Sequence, residues 1–119
     1  MQNHEQMKDV ELPRAEIIAQ LNDQLRQHGK GGIVLVTRGV MSLPGFDPLT
    51  VTAALAGYED FDSDNDPHGE RDFGDLTLWD HDLLFKIDYY DKELKFGSVD
   101  SADAKITHRV LTVMLAADW

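Results

Sequence analysis

Closely spaced acidic side chains are the feature of this sequence that could carry out chemistry. Between Asp62 and Asp75, carboxylates and one histidine recur at almost every second position, and hard cations such as Ca²⁺ prefer oxygen ligands of this kind. With Asp64 at the first position, the sequence partly matches a calcium-binding loop in which Gly69 makes the sharp turn. The match is incomplete because His68 replaces an oxygen ligand. We therefore assign no metal and no cofactor, and a calcium-stabilised module stays open as an alternative.

A second group of side chains combines both signs of charge and could form a pocket. Polar residues at positions 86, 88 and 90 alternate with apolar ones and share one face of a predicted strand. Arg109 is predicted on the last helix, where its guanidinium could pin a carboxylate of the acidic loop. Opposite charges that converge in one cleft are expensive unless they pair or serve a ligand. The candidate pocket consists of Glu70, Asp72, Lys86, Asp88, Tyr90 and Arg109.

The negative charge is concentrated in one part of the chain. Of the 22 Asp and Glu residues, 15 lie between Tyr58 and Asp103 with only 4 of the 11 Lys and Arg residues, so this stretch carries the whole net charge of −11. Such a surface repels phosphate and excludes nucleic-acid binding by counterion release, but it attracts basic proteins. Eight carboxylates are the least needed for folding and are the expected partner-binding residues: Asp60, Asp62, Asp64, Asp75, Asp80, Asp82, Asp91 and Glu93.

Patterns of apolar residues predict the elements that position these side chains. Helical spacing predicts a first helix that begins at Pro13 and ends at Gly29. The uncharged run 33–37 predicts a strand buried on both faces at the centre of a sheet. After a loop, Asp47 and Pro48 are a suitable N-cap and first turn for a second helix over 49–56.

The second half of the chain is predicted to form a meander and a last helix. The acidic loop, Glu59 to Asp72, precedes three strands at 76–78, 83–90 and 94–96, which are joined by turns at Asp80-His81-Asp82 and Asp91-Lys92. Apolar residues between Ile106 and Leu115 then predict a helix. The order α-β-α-β-β-β-α indicates an α+β fold, with an antiparallel sheet of about four strands and helices packed on one face.

Length and composition indicate one domain. The 119 residues, of which 42% are hydrophobic, are enough for a single core, and we expect a flexible lead-in over 1–12 and one domain over 13–119. The absence of cysteine excludes disulfides, thiolate zinc sites and cysteine nucleophiles. Neither a signal peptide nor a membrane span is recognisable in the sequence, so we expect a cytoplasmic protein with no membrane partner.

Three strings of residues resemble a known protein family. They cover 65–74, 86–91 and 109–115, and a looser likeness extends back over 33–39. Through them the chain resembles the small bacterial proteins grouped as domain of unknown function family 3768. The family's usual histidine in the first string is Arg71 here. The resemblance implies no reaction, since none is assigned to the family, but it suggests an origin on bacterial mobile elements.

These observations lead to two functional hypotheses. The first is an acidic, non-enzymatic inhibitor whose carboxylates mimic the phosphates of nucleic acid and block a host defence system, as anti-CRISPR and anti-restriction proteins do. Its partner would be a basic nucleic-acid-binding protein or complex of the host. The alternative is a small enzyme or ligand-binding module that uses the mixed-charge pocket. An acidic domain that is merely kept soluble by its charge is the background explanation, and the sequence leaves the oligomeric state open.

Overall fold

A computed structural model describes residues 12–119, which form a four-stranded sheet with helices on one face. The strand order is β1-β4-β3-β2, in which β1 runs parallel to β4 and the other pairs are antiparallel. The predicted α+β class is confirmed, but the sheet is mixed and not purely antiparallel. Apart from Leu12, the predicted lead-in lies outside the described residues. The elements are α1 (Arg14–His28), β1 (Gly32–Val36), α2 (Arg38–Met41), α3 (Pro48–Gly57), β2 (Phe73–Leu78), β3 (His81–Tyr90), β4 (His108–Leu115) and a 3₁₀ turn (Ala116–Asp118).

Helix α1 ends where the sequence predicts. Gly29 adopts the left-handed conformation with φ of 69° and donates its N–H to the Leu25 carbonyl, while Lys30 donates to the Gln24 carbonyl. This paired arrangement satisfies the last carbonyls of the helix and favours glycine at the capping position. The apolar stripe of α1 is buried against the sheet, with Ile18 and Ala19 fully covered.

The segment predicted as the last helix is strand β4, and that prediction is wrong. Strand β4 lies in the interior of the sheet between β1 and β3, and Val110, Leu111, Val113 and Met114 are all buried. Because successive side chains of a strand point to opposite faces, a strand covered on both faces carries apolar residues at consecutive positions. The resulting run contains helical spacings by coincidence, so periodicity alone did not separate the two structures.

Strand β1 was predicted at the centre of the sheet but lies at its edge. It pairs only with β4, and Ile33, Val34 and Leu35 are each 40–48% exposed. The interior position is occupied by β4, the segment predicted as the last helix. The uncharged, apolar composition of β1, from which burial on both faces was predicted, is therefore found in an edge strand.

The third strand of the predicted meander does not form. Leu94 and Phe96 are exposed in the connection between β3 and β4, where a single bridge joins Tyr90 to Gly97. The free side of β3 is taken by β4, which leaves no room for another strand beside it. The turn between β2 and β3 is also one residue earlier than predicted, because Trp79 and Asp80 both have positive φ, 53° and 63°, as a two-residue turn of type I′ requires.

The two faces of the sheet have different surroundings. Phe85 and Leu83 of β3 and Leu111 and Val113 of β4 face α1 and α3 and form the core. The opposite face, which we call the open face, carries no α-helix in the described part of the chain, although Val110 and Met114 of the interior strand β4 are buried there. Trp119 contacts this face by packing on Phe73 at 5.3 Å between ring centroids. None of the described helices is sufficiently long and apolar to cross a membrane.

Candidate functional site

Arg71 anchors the acidic loop to helix α1. Its backbone has φ of 54° and its N–H donates to Asp66 Oδ1 at 3.0 Å. Its guanidinium donates to both carboxylate oxygens of Asp23 at 2.8–3.1 Å and to Glu16 at 3.2 Å. Asp23 also accepts a hydrogen bond from the buried Arg26 at 2.7 Å. Arg109 was predicted to pin a carboxylate of this loop, whereas Arg71 holds the loop on α1.

The pairing with Arg71 and Arg26 lowers the pKa of Asp23. Burial by itself opposes ionisation of the carboxyl group, but the hydrogen bonds from Arg71 and Arg26 outweigh it and hold the pKa below its usual value. Two carboxylates and two guanidiniums thus neutralise one another between the helix and the loop. This ion-pair cluster joins the loop to the helix and contains no unpaired charge that could act in catalysis.

Aromatic and amide contacts fix the first half of the acidic loop. The Tyr58 ring packs edge-on against Phe61 and Phe85, at 4.8 and 5.2 Å between centroids. The Asn65 side chain donates to the Tyr58 hydroxyl at 3.1 Å and to the Asp60 carbonyl at 2.8 Å. The Tyr58 hydroxyl also lies 3.3 Å from a carboxylate oxygen of Asp75 on β2. The loop is therefore held against the β2 edge of the sheet.

A buried polar network lies beneath the second half of the loop. Asn22, fully buried on α1, donates to the Glu70 carbonyl at 3.0 Å and to the Tyr89 hydroxyl at 2.8 Å. Its amide oxygen accepts from Arg109 Nε at 2.8 Å, and the Tyr89 hydroxyl donates to Glu70 Oε1 at 2.9 Å. Arg109 also donates to the Ser101 carbonyl, and its guanidinium lies 5.1 Å from the centre of the Tyr89 ring.

Burial dominates the pKa values inside this network. Removal from water raises the pKa of Tyr89 far above its usual value, and the carboxylates of Asp72 and Glu70 raise it further. Burial likewise raises the pKa of the Asp72 carboxyl group. It lowers the pKa of Arg109, although attraction from Glu70 partly opposes this effect. The network therefore keeps a tyrosine neutral beside a buried cation.

The six residues of the predicted mixed-charge pocket do not converge. Glu70 and Arg109 meet indirectly through Asn22 and Tyr89 on the helix-covered face of the sheet, where Asp72 also interacts with Tyr89. The alternation of β3 places the other three residues on the open face, where the Lys86 ammonium pairs with Asp88 at 2.5 Å. The sheet separates the two groups, which are Glu70, Asp72 and Arg109 on one face and Lys86, Asp88 and Tyr90 on the other.

Six of the eight predicted partner-binding carboxylates lie along one edge of the sheet. They occupy the loop beside β2, the strand itself and the hairpin that follows it, and we call them the acidic edge. All are exposed, and within residues 12–119 none forms a salt bridge with Lys or Arg. The acidic edge consists of Asp60, Asp62, Asp64, Asp75, Asp80 and Asp82.

The other two predicted carboxylates lie elsewhere. Asp91 and Glu93 follow the end of β3, whereas Asp82 is near its start. Ten residues of strand separate the two ends, which corresponds to about 30 Å at the usual rise per residue. Asp91 accepts the Lys95 N–H at 3.0 Å, and Glu93 lies 3.9 Å from the Lys95 ammonium. The predicted patch is therefore divided between two ends of the sheet.

The calcium-like register does not fold into a cage of oxygen ligands. Asp62 uses its carboxylate to accept the N–H groups of Asp64 and Asn65, at 2.9 and 3.0 Å, and Asp66 accepts the N–H of Arg71. Within the described residues, no group of three or more acidic or histidine side chains is arranged to hold a metal ion.

A cavity that the sequence analysis did not anticipate lies at the end of the sheet opposite the hairpin. It has a volume of about 390 Å³ and opens between the last turns of α1, the starts of β1 and β4, and the connection between β3 and β4. The charged residues that line the cavity within the described chain are all cationic: Lys30, Lys92 and Arg109. His108 belongs to the same lining. These residues are far apart in sequence, so no local spacing indicated the site.

The polar residues that organise the acidic loop left only weak signals in the sequence. Asn22 interrupts the apolar stripe of α1 four residues after Ile18, and an amide in that position must find buried partners. Arg71 stands in a string of acidic residues, where an isolated cation indicates an ion pair. Neither observation predicts which residue is the hydrogen-bonding partner, because the partners are 48 or more residues apart in the sequence.

The fold and these contacts define a small acidic α+β protein with a firmly anchored loop and an open sheet face. The chain belongs to the family described as protein of unknown function (DUF3768), whose model matches residues 36–118. The family resemblance predicted from the sequence is thereby confirmed. The matched residues include Arg71 and Arg109, while their partners on α1 precede the match. Comparisons with curated proteins and with solved structures found no match.

Proposed function

We propose that this protein is a non-enzymatic inhibitor that binds a basic, nucleic-acid-binding protein through the acidic edge. The observation that carries the proposal is the set of six exposed carboxylates without a Lys or Arg counterion in the described chain. Uncompensated charge of one sign along one edge creates a strong local field, which speeds association with an oppositely charged groove.

The anchoring of the loop supports this use of the charge. Arg71, Tyr58 and Asn65 hold the loop against α1 and β2, so its carboxylates are presented without the ordering cost that a mobile loop would incur on binding. On β2 and β3, Asp75 and Asp82 are diagonal neighbours, with Cα atoms about 7 Å apart by usual sheet geometry. A rigid row of carboxylates can substitute for the phosphates of one nucleic-acid strand.

The proposed partner is a component of a host defence system, such as a nuclease or a CRISPR complex, met in the cytoplasm. An origin of the family on mobile elements would give such an inhibitor its biological setting. Protection of an edge strand from pairing is the simpler explanation for a carboxylate on β2. It accounts for Asp75 but not for the carboxylates of the loop and the hairpin.

The enzyme or ligand-binding alternative built on the mixed-charge pocket receives no such support. Its six residues are divided by the sheet, and Lys86 and Asp88 already pair with each other.

Capture from a bacterial lysate, with matched variants, tests the proposal. An edge variant with Asp60→Asn, Asp64→Asn and Asp80→Asn removes three charges, and asparagine tolerates the positive φ at position 80. A far-end variant with Asp91→Asn, Glu93→Gln and Asp103→Asn removes the same charge from the connection between β3 and β4.

We expect the immobilised wild-type chain and the far-end variant to retain nucleic-acid-binding proteins that duplex DNA releases in competition. The edge variant should lose them, because the field that replaces the phosphates is reduced. Equal retention by the edge variant, or retained proteins that duplex DNA does not displace, would contradict the proposal.

A further inference from the structure

Arg109 is a buried cation without a buried counterion. The residue is 1% exposed, and no Asp or Glu oxygen lies within salt-bridge distance of it among residues 12–119. Its identified partners are the neutral Asn22 amide, the Ser101 carbonyl and the face of the Tyr89 ring. A desolvated charge that is solvated only by dipoles is costly. An anion bound nearby would offset this cost.

The surroundings of Arg109 provide further positive charge. Arg109 lines the 390 Å³ cavity together with Lys30 and Lys92, and no carboxylate belongs to that lining in the described chain. His108 lies in the same lining, and its Nε2 atom is buried without a hydrogen-bond partner among the described residues. In a chain whose net charge is −11, the described lining of this cavity carries three cations, although Asp91 and Glu93 flank Lys92 in the sequence.

The volume of the cavity limits the size of the ligand. A volume of 390 Å³ is at the lower end of the range for small-molecule sites, so the cavity is too small for a folded partner. Leu21 and Ala104 add apolar surface beside the cations. Gly31 also lines the cavity. A Cβ at that position would have no atom within 4 Å, so no neighbouring atom crowds this part of the lining.

We propose that this cavity binds the phosphate group of a small phosphorylated metabolite. Arg109 is buried beside the cavity and donates to Asn22 and Ser101, so it supports a phosphate dianion through its positive charge and not through a bidentate contact. Lys30 and Lys92 supply point charges that complete the neutralisation of the dianion. The organic part of the ligand lies against Leu21 and Ala104. This site is independent of the acidic edge and does not rest on the inhibitor function.

Titration of the full chain with defined anions tests the site. Inorganic phosphate, glycerol phosphate and acetate are added at constant ionic strength, and binding is followed by calorimetry and by the ring resonances of His108. We expect saturable binding of the phosphates, a shift of the His108 resonances and no comparable binding of acetate. Tighter binding of glycerol phosphate would identify a phosphate ester as the ligand, and equal affinity would identify free phosphate.

Variants of exposed residues keep the test separate from folding. Arg109→Gln removes the central cation but also breaks the network with Asn22, so Lys30→Gln with Lys92→Gln is the primary variant. We expect this pair to weaken phosphate binding about tenfold through lost attraction. The matched control is Lys95→Gln with Lys105→Gln, which removes the same charge from residues outside the lining and should leave affinity unchanged. Absence of saturable binding, equal binding of acetate, or an unaltered affinity in the primary variant would overturn the proposal.

Discussion

At the scale of single residues, Asn22 links the loop, the sheet and helix α1. One amide donates to the Glu70 carbonyl and the Tyr89 hydroxyl and accepts from Arg109, so both of its donors and its acceptor oxygen are satisfied in a fully buried position. Buried groups in such a network are mutually dependent, because loss of one leaves the others desolvated and unpaired. The network therefore holds the base of the acidic loop in one arrangement.

The raised pKa of Tyr89 predicts a loss of stability in alkali. Because the folded pKa lies above the unfolded value of about 10, the folded state retains a proton that the unfolded state releases at higher pH. The free energy of unfolding should thus be insensitive to this group below about pH 10 and fall above it, by up to about 1.4 kcal/mol per pH unit.

Denaturant unfolding at several alkaline pH values measures this slope. Tyr89→Phe should make the decline shallower, although burial also raises the pKa of Tyr58, which remains in the variant. Tyr90→Phe is the matched control, since it deletes the same hydroxyl on the opposite face of the sheet. An alkaline slope that Tyr89→Phe leaves unaltered would show that the tyrosine is not held neutral by burial.

At the scale of elements, the parallel pair β1–β4 determines the architecture. The two strands approach so closely at Gly32 that a Cβ there would lie 2.1 Å from the Arg109 carbonyl oxygen. Only glycine permits this approach. The same contact brings the end of α1 beside the start of β4. The cavity lined by Lys30, Lys92 and Arg109, which we call the cationic cavity, forms there.

Gly32→Ala should therefore destabilise the protein strongly. The methyl group meets backbone atoms that cannot move without separating β1 from β4, and we expect a loss of about 3 kcal/mol in the free energy of unfolding. Gly57→Ala is the matched control at the end of α3, where a Cβ has no atom within 4 Å, and it should stabilise by about 0.5 kcal/mol. Equal effects of the two substitutions in denaturant unfolding would contradict the close approach.

The sequence supports some elements of this fold better than others. Helix α1 and its end at Gly29 follow from local signals, namely spacing and a capping glycine. Asp47 accepts the Leu49 N–H at the start of α3, as its sequence position predicts. Strand β4 could not be identified in this way because its burial on both faces depends on neighbours distant in the chain. The misassignment of β4 also led to the wrong positions for β1 and for the supposed third strand of the meander.

The candidate sites also differ in how far they could be predicted from neighbouring residues in the sequence. The exposed carboxylates of the acidic edge could be named from the sequence, because charged residues in a loop rich in turn formers remain in solvent. Their division from Asp91 and Glu93 depends on the length of β3. The cationic cavity depends on Lys30, Lys92 and Arg109, which only the completed fold brings together.

At the scale of the whole molecule, charge is distributed unevenly along the sheet. The acidic edge surrounds β2 and the hairpin, while the cationic cavity opens at the starts of β1 and β4. The cavity end is of mixed charge, because Asp91 and Glu93 also follow the end of β3, whereas the acidic edge has no Lys or Arg counterion in the described chain. This asymmetry favours one orientation when the molecule meets a charged partner. The acidic edge would then face a basic groove, with the cavity turned away from it.

The ionic-strength dependence of the association rate tests the central claim most directly. With a partner captured by the wild-type chain, the rate constant should fall steeply as salt is added, because screening removes long-range attraction. The edge variant should associate about tenfold more slowly at low ionic strength and show a flatter salt dependence, while the far-end variant keeps the wild-type behaviour. Identical rates and salt slopes for the wild-type chain and the edge variant would contradict the claim that the acidic edge is the binding surface.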